Sequence, residues 1–109
     1  MRPTVSEIME KLPTAFAARG TKDLSAVVHF KFTGAEPGEW NATIQDGDCH
    51  VAQGLPRSRP TISVVADSSD FVKIAVGELD ATTAYMEGKI KVAGDLLLIP
   101  KLVKLFKLP

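Results

Sequence analysis

Several kinds of chemistry are scarce in this sequence, and each scarcity closes off a class of function. Cys49 is the one cysteine in 109 residues. That count excludes an internal disulfide and a thiolate metal site, and it suits a reducing compartment. There are two histidines, His29 and His50. As cross-strand neighbours they could share a metal, but two histidines without a third ligand are weak grounds for a metal site, and surface histidines are the simpler reading. Basic and acidic side chains balance at 13 each, for a formal net charge of zero. No basic block with interleaved aromatics marks a nucleic-acid surface. The longest unbroken apolar run, Leu96 to Pro100, is far below the roughly 20 residues that cross a bilayer. The opening MRPTVSEIMEKL carries acids early and no long apolar core, so no secretory leader is expected. Gly77, Gly88 and Gly94 form no phosphate-binding loop.

What is present is patterned apolar sequence. Hydrophobic residues make up 45% and charged residues 24%, an ordinary globular balance. The length suits one domain with one modest core, here taken as residues 1–109. Thr4 and Glu7 form a capping box. Val5, Ile8, Met9, Leu12 and Phe16 then repeat at helical spacing. Pro13 should kink this helix or begin a new turn, and Gly20 should end it. Ser25 to Thr33 alternates, with Ala26, Val28, Phe30 and Phe32 on one face, which predicts a strand with one buried side. Trp40, Ala42 and Ile44 alternate in a second strand, Asp46-Gly47 signals a tight hairpin, and Cys49 to Gln53 is the third strand of a meander. GLPRSRP, residues 54–60, reads as a crossover. Thr61 to Ala66 is evenly apolar and should be a central strand. Asp67 and Asp80 are placed to cap two short helices that end near Gly77 and Gly88.

The stretch Tyr85 to Phe106 organises the rest. A strand, Lys89 to Ala93, puts Ile90 and Val92 on one side and Lys89 and Lys91 on the other. Gly94 breaks it and Asp95 caps a terminal helix. Lys101, Lys104 and Lys107 fall three apart and occupy an arc of about 120°, so leucines take most of the remaining circumference. One sheet face needs less apolar surface than that. The surplus must meet another subunit, a membrane or an enclosed lipid.

These segments together resemble the sterol carrier protein 2 (SCP2) domain family. GKIKVAGD followed by a leucine-lysine helix carries the resemblance most directly. SEIMEKLP, GEWNATIQDG, PTISVVADSSDF and GELDATTAYMEGK extend it, in the family's order, over nearly the whole chain. The resemblance implies an α+β fold: a five-stranded, mostly antiparallel sheet of order 3-2-1-4-5 with helices covering one face. It also implies a tunnel between sheet and helices holding a fatty acid, acyl-CoA, sterol or phospholipid chain. Phe30, Phe71, Ile74, Tyr85, Met86, Leu98, Leu102, Leu105 and Phe106 are the expected lipid-binding residues. Two features depart from the family pattern. Pro100 falls in the second turn of the terminal helix, where it should kink the lid. Arg57 and Arg59 make the crossover loop basic. Some SCP2 relatives end in a peroxisomal Ser-Lys-Leu signal, whereas this chain ends in Lys107-Leu108-Pro109, so a cytoplasmic location is expected.

No catalytic set emerges from the residues. Ser25 and His29, with Asp23 nearby, lie roughly 13 Å apart along a strand, too far to act as a nucleophile and its base. Cys49 has no activating base in view. Lys89 and Lys91 are better read as the wet side of an edge strand than as a headgroup site. The expectation is a non-catalytic lipid carrier without cofactor, metal or nucleic acid. Transient contact with a membrane surface and a homodimer both fit. An accessory domain assisting a lipid- or isoprenoid-modifying enzyme is the alternative, and an enzyme is a distant third.

Overall fold

The structure, a computed structural model, describes residues 3–19 and 25–100. Helix α1 spans Val5–Arg19. Its start is the capping box: the Thr4 N–H donates to Glu7 Oε1 and the Glu7 N–H to Thr4 Oγ1, both at 3.1 Å. The Thr4 backbone N–H, and then its hydroxyl, hold the Glu7 carboxyl below its ordinary pKa. Val5, Ile8, Met9 and Leu12 are at most 2% exposed, as their spacing requires. Pro13 lies inside this one helix rather than opening a second. The Phe16 side chain and Gly20 fall outside the described residues.

Five strands follow the expected order: β1 (Ala26–Thr33), β2 (Gly38–Gln45), β3 (Asp48–Gln53), β4 (Ile62–Asp67) and β5 (Ile90–Gly94). They form one sheet, β3-β2-β1-β4-β5. All neighbours are antiparallel except β1 and β4. Asp46 and Gly47 take φ of 52° and 84°, the paired positive angles that a two-residue hairpin demands. The inward row at mid-sheet is Trp40, Phe30, Val64 and Val92 in register across four strands. The inward residues of β1 are at most 3% exposed.

This register corrects one expectation. His29 faces Asn41 on β2, and His50 faces Thr43. A whole strand separates the two imidazoles, so they are not cross-strand neighbours. His29 Nε2 instead lies 3.3 Å from Glu39 Oε1, out of line for a hydrogen bond.

The parallel β1–β4 pair forces the crossover that the sequence suggested at residues 54–60. The loop is fastened at both ends. Asn41 Nδ2 donates to the Gly54 carbonyl at 3.0 Å. The Thr61 N–H donates to the Val27 carbonyl, while Thr61 Oγ1 accepts from the Val27 N–H. Arg57 and Arg59 between them are exposed.

Helices α2 (Ser68–Ala75) and α3 (Ala81–Met86) start at Asp67 and Asp80, whose carboxylates accept from Ser69 N–H at 2.8 Å and Thr83 N–H at 3.0 Å. Gly94 ends β5 at a φ of 114°. A Cβ there would run into the Thr61 carbonyl, which instead accepts from the Asp95 N–H at 3.0 Å.

Asp95 then caps a 3₁₀ turn, Leu96–Leu98, and helical backbone begins only at Ile99 and Pro100. This corrects the expectation for Pro100, which belongs to the first helical turn rather than the second. The Ile99 N–H donates back to the Leu96 carbonyl, so Pro100 follows a closed turn, and its fixed φ suits an early helical position. Residues 101–109, with Leu102, Leu105 and Phe106, lie outside the described residues.

Glu36, in the β1–β2 turn, ties three elements together. Its carboxylate accepts from the N–H groups of Val5 and Ser6 at 2.8 and 3.1 Å, and from the Ser6 hydroxyl at 3.3 Å. Its own N–H donates to Ser68 Oγ at 3.0 Å. Ser68 is 3% exposed and begins α2. Glu36→Ala should destabilise the fold by ~2 kcal/mol, because several bonds to one carboxylate disappear and helix-start donors are left unpaired. Urea unfolding should show the loss, and Glu36→Gln should recover part of it by keeping one acceptor oxygen. An unchanged midpoint for Glu36→Ala would refute the clasp.

Candidate functional site

The inward face of the sheet is not covered evenly. Over its centre, Phe30, Phe32 and Phe71 pack as one group, with ring centroids 5.9, 6.1 and 4.7 Å apart. Together with α1 and β2 they close the main core. Toward the β5 edge the helix above is short and its inward residues are small. Ala81 and Ala84 of α3 pack with Ile74, Leu79 and Ile90 in a second, smaller cluster.

The chain reversal after α3 holds it close to β5. The Gly88 N–H donates to the Tyr85 carbonyl at 3.1 Å and the Lys89 N–H to the Ala84 carbonyl at 2.9 Å. Ala84 is fully buried against this turn.

Beside that contact lies a cavity of about 270 Å³. Helix α3 supplies Ala81, Thr82 and Tyr85, β5 supplies Ile90 and Val92, and the turn after β5 supplies Leu96, Ile99 and Pro100. Among the described residues its polar side chains are the hydroxyls of Thr82 and Tyr85, and none of the lining residues so described carries a carboxylate, amine or imidazole, the groups that make an acid–base pair. Of the lining residues, Tyr85 is 47% and Leu96 50% exposed, and their chain neighbours Met86 and Leu97 are 79% and 86% exposed. Lys89 stands outside, 3.4 Å from Glu87. Lys91 faces the other side of the sheet, opposite Val65.

The expected lipid-binding residues therefore fall in different places. Tyr85 lines the cavity, and Met86 lies exposed on the same helix. Phe30, Phe71 and Ile74 are at most 5% exposed and belong to the packed clusters. Leu98 is partly buried against the main core. The remaining three lie beyond the described residues. Ala81, Thr82, Ile90, Val92, Leu96, Ile99 and Pro100 were missed as cavity walls. The alternation of Ile90 and Val92 was a legible signal, whereas the others depend on how α3 returns over β5.

A second hollow, about 160 Å³, lies at Ala35, Glu36, Ser68, Ser69 and Val72, and the Glu36 clasp accounts for its polar groups. Among the described residues no three His, Cys, Asp or Glu side chains gather as metal ligands. No described helix is long and apolar enough to cross a membrane.

A sheet covered on one face, with an apolar cavity where the covering thins, defines a class of small α+β domain. The family model for the SCP-2 sterol transfer family matches residues 6–107, and this chain belongs to that family. Hydroxysteroid dehydrogenase-like protein 2 of Xenopus tropicalis is 29% identical over 101 residues, covering 93% of this chain and 24% of that protein. The Mus musculus protein of the same name is 35% identical over 80 residues, covering 73% and 16%. The chain thus spans a quarter or less of these relatives. Among solved structures, palmitated SCP2L2 from Aedes aegypti superposes with a TM-score of 0.77 at 24% identity, covering 95% of both chains. The sec-alkyl sulfatase PisA1 superposes with a TM-score of 0.83 at 17% identity, covering 98% of this chain and 17% of that one. Both structural likenesses establish the fold.

Cys49 faces inward on β3 and is 8% exposed. Burial pushes its thiol from 9.0 up to about 11. Below pH 9.0 the thiol is neutral in both folded and unfolded chains and contributes no pH dependence. As pH rises from 9.0 towards 11, the unfolded thiol ionises first and stability is lost. Urea midpoints should fall faster over that window for the wild type than for Cys49→Ala. Parallel pH curves for the two proteins would contradict this.

Proposed function

We propose that this chain is a lipid-binding carrier domain, a single unit over residues 1–109, that shelters an apolar chain between β5, α3 and the segment after β5. The observation that carries the reading is the cavity wall: among the described residues, apolar side chains and two hydroxyls with no charged group, in a member of the SCP-2 sterol transfer family. Such a wall can bind by burial alone, at ~0.8 kcal/mol per methylene, less the cost of ordering ligand and protein. Affinity in the micromolar range and little headgroup preference follow.

The ligand classes are a fatty acid, acyl-CoA, sterol or phospholipid chain. Leu102, Leu105 and Phe106 are proposed to close over the ligand, since they continue directly from Pro100 in the cavity wall. The domain is proposed to act without catalysis of its own. A second reading has one observation in its favour: the relatives carry the matching stretch within proteins at least four times that stretch's length. Under that reading it is an accessory module presenting lipid to an enzyme.

Mass spectrometry of gently isolated protein should find a co-purified lipid, and long-chain fatty acids should displace a fluorescent acyl probe. A chain ending at Ile99 should keep its sheet by circular dichroism and bind the probe at least tenfold more weakly. Folded full-length protein that binds no acyl probe rules out the carrier reading. Loss of the folded signal on truncation would make the terminal residues core rather than cover.

A further inference from the structure

The outward side of the sheet, away from the helices and the cavity, gathers positive charge. Glu39, Lys31, Val65 and Lys91 stand in one row across β2, β1, β4 and β5. Neighbouring strands lie about 4.8 Å apart, so Lys31 and Lys91 spring from strands roughly 10 Å apart with Val65 between them. Both lysines are exposed.

The crossover brings two more cations. Strands β2 and β1 lie between β3 and β4, and α1 and α2 pack on the inward side, so residues 54–60 cross on the outward one. The outward Asn41 side chain holds the Gly54 carbonyl there. Val27, His29, Asn41 and Thr43 are half-buried on this side, as are Pro56 and Pro60 of the crossover, whereas Arg57 and Arg59 are exposed.

Among the described residues none of these four cations has an ion pair. The acids on this side are engaged or marginal. Glu39 lies against His29 and Asp67 caps α2, while Asp46 and Asp48 sit at the hairpin corner. On the helical side the balance reverses. Glu7, Glu10, Glu78, Asp80 and Glu87 are exposed there, and Lys89 has Glu87 beside it.

We infer that the outward sheet face is a docking surface for an acidic segment of a partner protein, with Lys31, Lys91, Arg57 and Arg59 as its cations. Complementary charge sets the sign of the partner. The cavity draws its β5 wall from the inward residues Ile90 and Val92, so an anionic bilayer on this face would meet the side away from the cavity. Leu55 and Val65 are the large apolar side chains exposed here among the described residues, at 66% and 37%. That is too little apolar surface for an obligate dimer. The contact is therefore transient and held by charge.

The test uses the full chain and a fluorescently labelled polyglutamate peptide, read by anisotropy. The peptide should bind at low salt and be released near about 1 M salt, where charges act over only about 3 Å. Carbodiimide, which joins carboxylates to adjacent amines, should couple the peptide to Lys31 and Lys91. Lys31→Glu combined with Lys91→Glu should weaken binding roughly tenfold, and Arg57→Gln with Arg59→Gln severalfold, whereas Lys89→Glu should leave it unchanged. Circular dichroism checks each fold, and Lys31→Gln with Lys91→Gln replaces the reversed pair if that pair does not fold. None of these residues lines the cavity, so acyl-probe binding should stay at the wild-type level in every variant, and failure of this inference leaves the carrier reading standing. Unchanged peptide affinity in the folded Lys31 and Lys91 variants overturns the inference, as does coupling at Lys101, Lys104 or Lys107 instead. Binding of phosphatidylserine vesicles through Lys31 and Lys91 without binding of the peptide would make the face a membrane surface and overturn it too.

Discussion

One-sided burial of β1 is the constraint on which the other elements depend. Its inward residues, Ala26, Val28, Phe30 and Phe32, are almost wholly removed from water, and β1 is hydrogen-bonded on both edges. Burying four such side chains is worth several kcal/mol at ~25 cal/mol per Å². A shift of one residue would turn all of them outward. The register with β2 and β4 is therefore fixed, and through it the positions of β3 and β5. Helix α1 lies over β3, with α2 beside it.

The cavity follows from how the covering is shared out. Aromatic rings fill the space under α2, but α3 has six residues and turns alanines inward. Small side chains let α3 approach β5 closely at Ala84, and they leave volume unfilled on either side of that contact. An apolar hollow of this size loses dispersion contacts that a filled core would have. Occupation by a hydrocarbon restores them, which ties the packing of the edge to the proposed role.

Polar fastening completes the arrangement. The Glu36 carboxylate satisfies donors at the start of α1, while its backbone N–H reaches Ser68 at the start of α2. One turn thereby sets the angles at which two covering helices leave the sheet. Thr61 has a similar part at the other end. Its carbonyl and hydroxyl hold Asp95 and Val27, so the crossover, the β1–β4 pair and the exit from β5 meet at one residue.

The sequence by itself determined the elements and their faces. Alternation gave the inward rows of β1 and β2, Asp-Gly gave the hairpin, and Asp67, Asp80 and Asp95 gave the helix starts. These signals are local, set by side-chain period and by which residues can cap or take positive φ. Only the tertiary structure decided which inward residues pack against one another and which border empty space. Phe30, Phe71 and Ile74 are as apolar as Ile90 and Val92, yet only the last two border the cavity as well as packing against the core. Only the three-dimensional return of α3 over β5 separates them. The same holds for His29 and His50, which lie on the same outer side but with β2 between them. It holds for Pro100, whose place in the first helical turn depends on Asp95 completing a 3₁₀ turn first. Periodicity assigns each side chain to a face, whereas filling depends on distances between elements, and those are set by long-range register and the Ala84 contact.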